Sequence, residues 1–317
     1  MNKYALVIHG GAGIILKENF TKEEEDKHLN KLKEVLEAGS KSLATGKSAM
    51  DVVEQAVVML ENTPLFNAGK GAVFTYEGKN EMDAAIMDGT SSEAGTIAGV
   101  SNIKNPVSVA RAVIDKSDHV MLVGRGAEEF AKEKGLAIEK PEYFFDQQRW
   151  DQYQSIKESC KQQLDHAGKD GSVLNILENN KFGTVGAVAL DIQANMATAS
   201  STGGITNKRY GRVGDSPIVG AGIFANEQCA ISCTGHGEYF IKQVVAYDVA
   251  AQMKYQGISL KEAASSFFNK IEKLKGLGGY ISVDKNANIE MPFNTPGMYR
   301  GFVSSEDSQT KAFMYGD

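Results

Sequence analysis

The sequence predicts an α+β fold in which antiparallel sheets are covered by helices. Helix-like and strand-like segments come in blocks rather than in strict alternation, which argues against a parallel, doubly wound sheet. Two apolar segments, 184–190 and 195–202, flank a short polar loop as the arms of a β-hairpin do. The 317 residues include no long Pro- or Ser-rich linker, so a single large domain over 1–317 is expected.

The elements expected before residue 145 follow from apolar periodicity and capping signals. Residues 4–8 form a predicted buried strand that ends at the glycine-rich sequence HGGAG, and an amphipathic helix is predicted over 22–45. Ser48 and Asp51 resemble a capping box at the start of the next helix. The other expected elements are a loop held by glycines at 63–74, strands at 83–89, 95–101 and 119–124, and helices at 105–114 and 126–135.

A polar stretch without apolar periodicity separates the two halves of the chain. Residues from about 145 to 182 are polar, and DHAGKDGS at 165–172 carries turn signals without a packing pattern. A partly helical, poorly anchored connector is predicted there, although composition alone favours an ordinary surface excursion. The elements expected after the hairpin are strands at 218–222, 229–235, 279–283, 288–291 and 300–304, a long amphipathic helix at 238–255 and a further helix near 259–274.

Composition and charge indicate which kinds of molecule the protein is expected to bind. The net charge is −6 and the basic residues are scattered. The sequence therefore does not indicate binding to the phosphate backbone of a nucleic acid. A small metabolite or a peptide is the expected substrate. The apolar stretch at the N-terminus is too short for a signal peptide, and no segment approaches the roughly 20 residues of a membrane span.

The three cysteines argue against a disulfide framework and fit a reducing, cytoplasmic location. Cys229 and Cys233 lie four residues apart in an apolar run, without a histidine pair at matching spacing. They are therefore expected to be buried core thiols rather than metal ligands.

The hairpin predicts a specific pair of hydroxyl groups. If its turn is centred on Gln193, the numbers of antiparallel partners add up to 386, and Thr184 lies opposite Thr202. The Cβ atoms of such partners are about 4.5–5.5 Å apart. A cross-strand threonine pair is common in sheets, so an ordinary structural pair is the alternative.

A glycine precedes Thr184 at the junction of the connector and the buried strand. A threonine hydroxyl can attack the carbonyl group of the residue before it when the backbone is held in an unusual conformation, which Gly183 permits. Cleavage would free the amine of Thr184, whose pKa of about 7.7–8.0 lets it act as a base toward its own hydroxyl. Such chemistry needs no catalytic histidine, and the five histidines form no Ser–His–Asp arrangement.

Six motifs in order resemble the plant-type asparaginase and isoaspartyl peptidase family of N-terminal-nucleophile hydrolases, over essentially the full length. The resemblance implies a four-layer αββα sandwich and self-cleavage between Gly183 and Thr184. It also implies an α chain of 1–183 that ends in a flexible connector (about 155–183), a β chain of 184–317, and an (αβ)2 heterotetramer. The motifs are HGGAG (9–13), LFNAGKGAVF (65–74), GTVGAVALD (183–191), STGG (201–204), GRVGDSP (211–217) and SCTGHGE (232–238).

The resemblance also implies roles for individual residues. Thr184 would be the nucleophile and Thr202 its hydrogen-bond partner. Arg212 would bind the α-carboxylate of the substrate and Asp215 its α-ammonium group. An i,i+3 ion pair between Arg212 and Asp215 that braces a turn is the alternative for these two residues.

Further roles come from two of the motifs. Thr234 and Gly235 would form the oxyanion hole at the start of a helix, and Gly237 would line the substrate site. Asn67 would lie near the amine of the nucleophile. His236 is expected to be a structural or rim residue.

The same comparison implies a sodium ion held by backbone carbonyl groups, while no cofactor is required for the chemistry. Carbonyl ligation depends little on side chains, so the sequence itself does not test it. The residues concerned would be Leu60, Glu61, Thr63, Phe66, Ala68 and Lys70.

The expected function is hydrolysis of β-aspartyl amide bonds in isoaspartyl dipeptides and L-asparagine. Glycosylasparaginase is a rival within the family, but HGGAG and LFNAGKG favour the first two activities, with isoaspartyl peptides preferred. An uncleaved, inactive relative that serves as an amino-acid-binding or scaffold protein is the alternative from another class. A dinucleotide site at HGGAG is disfavoured, because the GxGxxG spacing is absent.

Overall fold

The computed structural model describes residues 3–165, 183–273, 276–307 and 309–316. Its first part carries most of the helices that cover the larger sheet. These elements are β1 (Ala5–Gly13), α1 (Lys22–Ala44), α2 (Ala49–Glu61), β2 (Met82–Asp88), β3 (Ala94–Val100), α3 (Pro106–Lys116), β4 (Met121–Val123), α4 (Gly124–Glu133), α5 (Pro141–Phe144) and α6 (Gln147–Asp165).

The second part begins with the predicted hairpin and is richer in strands. Its elements are β5 (Val185–Leu190), β6 (Met196–Thr202), β7 (Ile223–Ala225), β8 (Cys229–Gly235), α7 (Gly237–Gln243), α8 (Val245–Gln256), α9 (Leu260–Lys273), β9 (Gly278–Asp284), β10 (Ile289–Glu290), β11 (Gly297–Ser304) and β12 (Lys311–Tyr315).

The strands form two sheets. The larger one has the order β12-β11-β1-β5-β6-β2-β3-β4, and the smaller one has the order β10-β9-β8-β7. Neighbouring strands are antiparallel except for β3 and β4. The predicted α+β class, with mostly antiparallel sheets flanked by helices, is confirmed.

Alternation along β1 shows how the layers stack. Leu6 and Ile8 pack into a cluster with α1, α2 and α3 on one face of the larger sheet, whereas Val7 points into a second cluster shared with the smaller sheet. On the far face of the smaller sheet, Tyr280 packs with α7, α8 and α9. Burial of each large apolar side chain in these layers contributes about 1.5–3 kcal/mol.

The first strand is longer than predicted. Instead of ending at HGGAG, β1 continues to Gly13 and pairs with β11 throughout, with a bulge between His9 and Gly11. Gly11 has φ +109°, a conformation that glycine adopts without penalty. The motif therefore bends the strand rather than ending it.

Two predictions in the second half are wrong, and two strands were missed. Residues 218–222 form turns rather than a strand, because Ile218 O accepts hydrogen bonds from both Ala221 N and Gly222 N. The helix expected at 238–255 is two helices, broken where Val244 adopts the left-handed conformation with φ 49°. Strands β7 and β12 had no counterpart in the sequence prediction.

The stretch before the hairpin is helical at first, as predicted. Its beginning is well anchored, which corrects that part of the prediction. Trp150 and Tyr153 pack against Phe74, and the Tyr153 hydroxyl donates to Tyr76 O at 3.0 Å. Residues 166–182, where most of the predicted flexible connector falls, lie outside the described residues. None of the described helices combines the length and the apolar character needed to cross a bilayer.

Candidate active site

The hairpin has the predicted register. Val185 pairs with Ser201 and Leu190 with Met196, so each pair of numbers adds up to 386. One step further along, the hydroxyl of Thr184 donates to the hydroxyl of Thr202 at 3.2 Å. Both threonines are buried. The predicted juxtaposition of the two hydroxyl groups is confirmed.

The carbonyl oxygen of Gly183, which belongs to the peptide bond before Thr184, accepts two hydrogen bonds. The Thr202 hydroxyl donates to it at 3.0 Å, and the Asn67 Nδ2 atom donates at 2.9 Å. Two donors on one carbonyl oxygen polarise the C=O bond and stabilise negative charge on the oxygen.

Backbone groups on both sides orient the Asn67 amide. Its Nδ2 also donates to Gly204 O at 2.6 Å, while its Oδ1 accepts from Val73 N at 3.0 Å. With donor and acceptor sides both engaged, only one orientation of the amide satisfies all of these bonds. Asn67 is thus held in place to contact the Gly183 carbonyl.

The bulge in β1 brings the backbone of HGGAG against the Gly183–Thr184 peptide. A Cβ atom at Gly11 would lie 2.8 Å from Gly183 Cα and 3.1 Å from Thr184 N. Glycine is therefore needed at position 11 both for its φ angle and for this close approach.

Arg212 forms an ion pair that was not predicted. Its Nε and Nη2 atoms each donate to a carboxylate oxygen of Glu238 at 2.9 Å. Among the described residues no ion pair joins Arg212 to Asp215, so the alternative of a turn-bracing pair is wrong. A guanidinium group has five N–H donors, and Glu238 leaves the Nη1 edge available to another carboxylate.

Asp215 is buried with one carboxylate oxygen unsatisfied. Its Oδ2 has no hydrogen-bond partner within the described structure, and burial raises its pKa to about 6 despite the opposing charge of Arg212. A Cβ atom at Gly237 would lie 2.9 Å from Asp215 Oδ1 and 3.0 Å from Arg212 Nη2. Only glycine at position 237 therefore lets the backbone approach these two groups so closely.

The end of β8 places Thr234 and Gly235 beside the hairpin. Thr234 is fully buried, and its hydroxyl oxygen accepts from Ala12 N at 3.2 Å, so the hydroxyl proton is left to donate. Gly235 has φ +144°, and a Cβ atom there would lie 2.4 Å from Leu277 O. A small cavity of about 10 Å³ gathers most of the predicted site residues, namely Gly183, Thr184, Thr202, Arg212, Asp215 and Gly235.

Two histidines lie near the site. His9 is fully buried at the bulge, with Nε2 3.1 Å from Ser232 Oγ, and burial lowers its pKa to about 3. His236 is also buried, with its ring 5.9 Å from that of Tyr239, and burial lowers its pKa. Both rings are therefore neutral at pH 7.

The sodium expectation concerns backbone carbonyl groups at the end of α2 and in the loop that follows it. Helix α2 ends at Glu61, so its last carbonyls lack helical partners. The loop folds back so closely that a Cβ atom at Gly69 would lie 2.5 Å from Glu61 O. The carbonyls of Phe66 and Ala68 accept turn hydrogen bonds and keep a second lone pair. Carbonyl oxygens are the donors that hard cations prefer.

Two residues that shape the site had no predicted role. Glu238 ends the motif SCTGHGE and Gly11 lies inside HGGAG, so their presence in the motifs was the available signal. Their contacts, with Arg212 and with Gly183, join positions that are far apart in the chain.

Comparison with known proteins finds similar sequences over nearly the whole chain. A sequence model of the asparaginase family (Asparaginase_2) matches residues 2–313. The chain is 47% identical to the isoaspartyl peptidase of Escherichia coli strain K12, with 98% of this chain and 96% of that protein covered. Identity to the isoaspartyl peptidase of Salmonella typhimurium is 47%, covering 98% of each. Identity to the plant-type L-asparaginase of Pyrococcus abyssi is 42%, covering 97% and 99%.

Proposed function

The chain belongs to the asparaginase family, and from that membership we propose that it is an isoaspartyl peptidase and L-asparaginase. It hydrolyses β-aspartyl amide bonds through an acyl ester on Thr184, after it has cleaved itself between Gly183 and Thr184. Relatives named for each of the two activities match nearly the whole chain, and the arrangement around Gly183 and Thr184 supports the chemistry.

Self-cleavage begins with the Thr184 hydroxyl oxygen attacking the carbonyl carbon of Gly183. The bond from oxygen to carbon forms, and the bond from that carbon to the Thr184 nitrogen breaks, while the hydroxyl proton ends on the nitrogen. The negative charge that develops on the Gly183 oxygen is stabilised by Asn67 Nδ2 and by the Thr202 hydroxyl. Water then hydrolyses the ester, which leaves a carboxylate on Gly183 and a free amine on Thr184.

Turnover uses the same hydroxyl with the new amine as its base. The Thr184 oxygen attacks the β-carbonyl carbon of the substrate, and ammonia or an amine leaves with the proton. Thr234 and Gly235 would donate hydrogen bonds to the oxyanion. Water then attacks the acyl ester and releases aspartate.

The head group of the substrate fits the charges beside Thr184. The free edge of Arg212 would bind the α-carboxylate, and the unsatisfied Oδ2 of Asp215 would accept from the α-ammonium group. Because neither contact involves the leaving group, one site serves both asparagine and isoaspartyl dipeptides. We expect the dipeptides to be preferred.

Several features of the whole enzyme belong to the same proposal. The packing order of helices, larger sheet, smaller sheet and helices would be the αββα sandwich of N-terminal-nucleophile hydrolases. Two αβ units would assemble into a heterotetramer, and a sodium ion would bind the carbonyls of the loop after α2. The buried free thiols of Cys229 and Cys233 fit a reducing, cytoplasmic location.

The observation that carries the proposal is the pair of hydrogen bonds to the Gly183 oxygen beside the Thr184 hydroxyl. A denaturing gel of the purified protein, together with an assay on L-asparagine, tests it. The enzyme should give two bands whose masses add up to the 34.2 kDa of the chain. A single 34.2 kDa band without hydrolysis would instead support the uncleaved scaffold protein.

A further inference from the structure

A second cavity lies next to the candidate site and shares Gly183 with it. Its volume is about 260 Å³, and Gly183 and Asn67 form part of its wall. Gly183 also lines the small cavity at Thr184, so it borders both spaces. The proposed function requires cleavage of the Gly183–Thr184 bond. After cleavage, Gly183 is no longer joined to Thr184.

One wall of the second cavity is aromatic. The rings of His28 and Tyr299 stack with their centroids 4.8 Å apart and their planes within 11°. Phe66 meets both rings edge-on, at 5.7 and 5.5 Å. Such a wall suits an apolar or aromatic side chain of a ligand.

Four charged side chains also line this cavity, and three of them are engaged by neighbours. Glu24 closes the capping box at the start of α1. Lys27 forms an ion pair with Glu23 at 2.8 Å. Asp146 accepts a hydrogen bond from the backbone N–H of Arg149 at 2.9 Å.

The fourth charged group is the guanidinium of Arg149. Within the described part of the chain it has no carboxylate within 4.0 Å, and its one side-chain hydrogen bond, to Gln152 Oε1, is long at 3.4 Å. Burial lowers the pKa of Arg149. Burial also raises the pKa of Tyr299, an effect that the nearby charge of Arg149 opposes. Arg149 and Tyr299 line the same cavity, and a guanidinium and a phenol hydroxyl both donate well to a carboxylate.

We propose that this cavity receives the leaving residue of an isoaspartyl dipeptide, with the carboxylate of that residue on Arg149 and its side chain against the aromatic wall. The inference rests on the proposed function. In such a dipeptide the aspartyl head group and the leaving residue lie on opposite sides of the reacting carbonyl. The two cavities that meet at Gly183 offer a separate space for each of these parts. L-Asparagine releases ammonia, so it places nothing on Arg149.

The test compares three substrates on the cleaved Arg149→Gln variant. The kcat/KM for β-aspartyl-leucine should fall about 10- to 100-fold, the loss expected for one charge-assisted hydrogen bond to a carboxylate. The values for β-aspartyl-leucinamide, which lacks the carboxylate, and for L-asparagine should stay close to those of the unaltered enzyme. Arg149→Lys should recover part of the loss, because it keeps the charge.

Lys27→Gln is the matched control, because Lys27 is a cation that lines the same cavity but already pairs with Glu23. It should change none of the three values. An equal loss on all three substrates in Arg149→Gln would show a structural role for Arg149 and overturn the inference, as would an unchanged value for β-aspartyl-leucine. If the unaltered enzyme hydrolyses all three substrates in either case, the proposed function itself stands.

Discussion

The hydroxyl oxygens of Thr184 and Thr202 lie 3.2 Å apart, and the Thr202 hydroxyl in turn donates to Gly183 O at 3.0 Å. The two bonds form a short chain from the attacking hydroxyl to the carbonyl that it would attack. Thr202 thus contacts both partners of the proposed self-cleavage step.

This chain predicts that Thr202→Val slows self-cleavage about 100-fold, because one of the two donors on the Gly183 oxygen is lost. The rate is measured by pulse labelling in cell-free translation and denaturing gels. Thr198→Val is the matched control: Thr198 lies on the same strand and donates to Ile231 O instead. Cleavage at the unaltered rate in Thr202→Val would contradict this role.

Gly11→Ala should leave the chain uncleaved. The added Cβ atom would lie 2.8 Å from Gly183 Cα, so the peptide to be cleaved must move away from Asn67 and Thr202. Gly135→Ala is the matched control. Gly135 also has a positive φ, of +73°, but open space around its Cβ position, so this variant introduces backbone strain without a close contact. If both variants are processed alike on a gel, the close approach of Gly11 does not matter.

Arg212→Gln should be processed normally, yet its KM for L-asparagine should rise about 100-fold, since the α-carboxylate loses a charge-assisted pair. Steady-state kinetics on the cleaved protein give this value. Arg111→Gln is a suitable control, as Arg111 pairs with the carboxylates of Asp51 and Asp115. Loss of self-cleavage in Arg212→Gln would point to a structural role.

The raised pKa of Asp215 predicts a second acidic limb in the pH profile. A carboxyl group with a pKa of about 6 is protonated below that pH, and it then no longer binds the α-ammonium group as an anion. The logarithm of kcat/KM should fall with a slope of one below the amine pKa of about 7.7–8.0. Below about pH 6 the slope should steepen to two. A slope of one down to pH 5, with the fold intact by circular dichroism, would exclude this role for Asp215.

The parts of the site that lie on one continuous hairpin were predictable from the sequence. A tight turn fixes the register, so the partners of Val185 and Leu190, and the approach of Thr184 to Thr202, follow from counting residues. Buried strands and capped helices were likewise indicated by local patterns, as the hydrogen bond from Asp51 N to the Ser48 hydroxyl illustrates.

Features that depend on contacts between distant segments were not predictable in this way. Val244 adopts a left-handed conformation that a β-branched residue rarely takes, so no local signal marked the break between α7 and α8. The ion pair of Arg212 with Glu238 joins residues 26 positions apart, and β1 passes through HGGAG because β11 pairs with it. In each case tertiary packing decides between conformations that the local sequence permits.

The proposed chemistry requires, above all, that Thr184 becomes a chain terminus. N-terminal sequencing of the purified, active protein measures this, and it should find a polypeptide that begins Thr-Val-Gly-Ala-Val in an amount equal to the N-terminal chain. Full activity on L-asparagine in a preparation without that terminus would contradict the account.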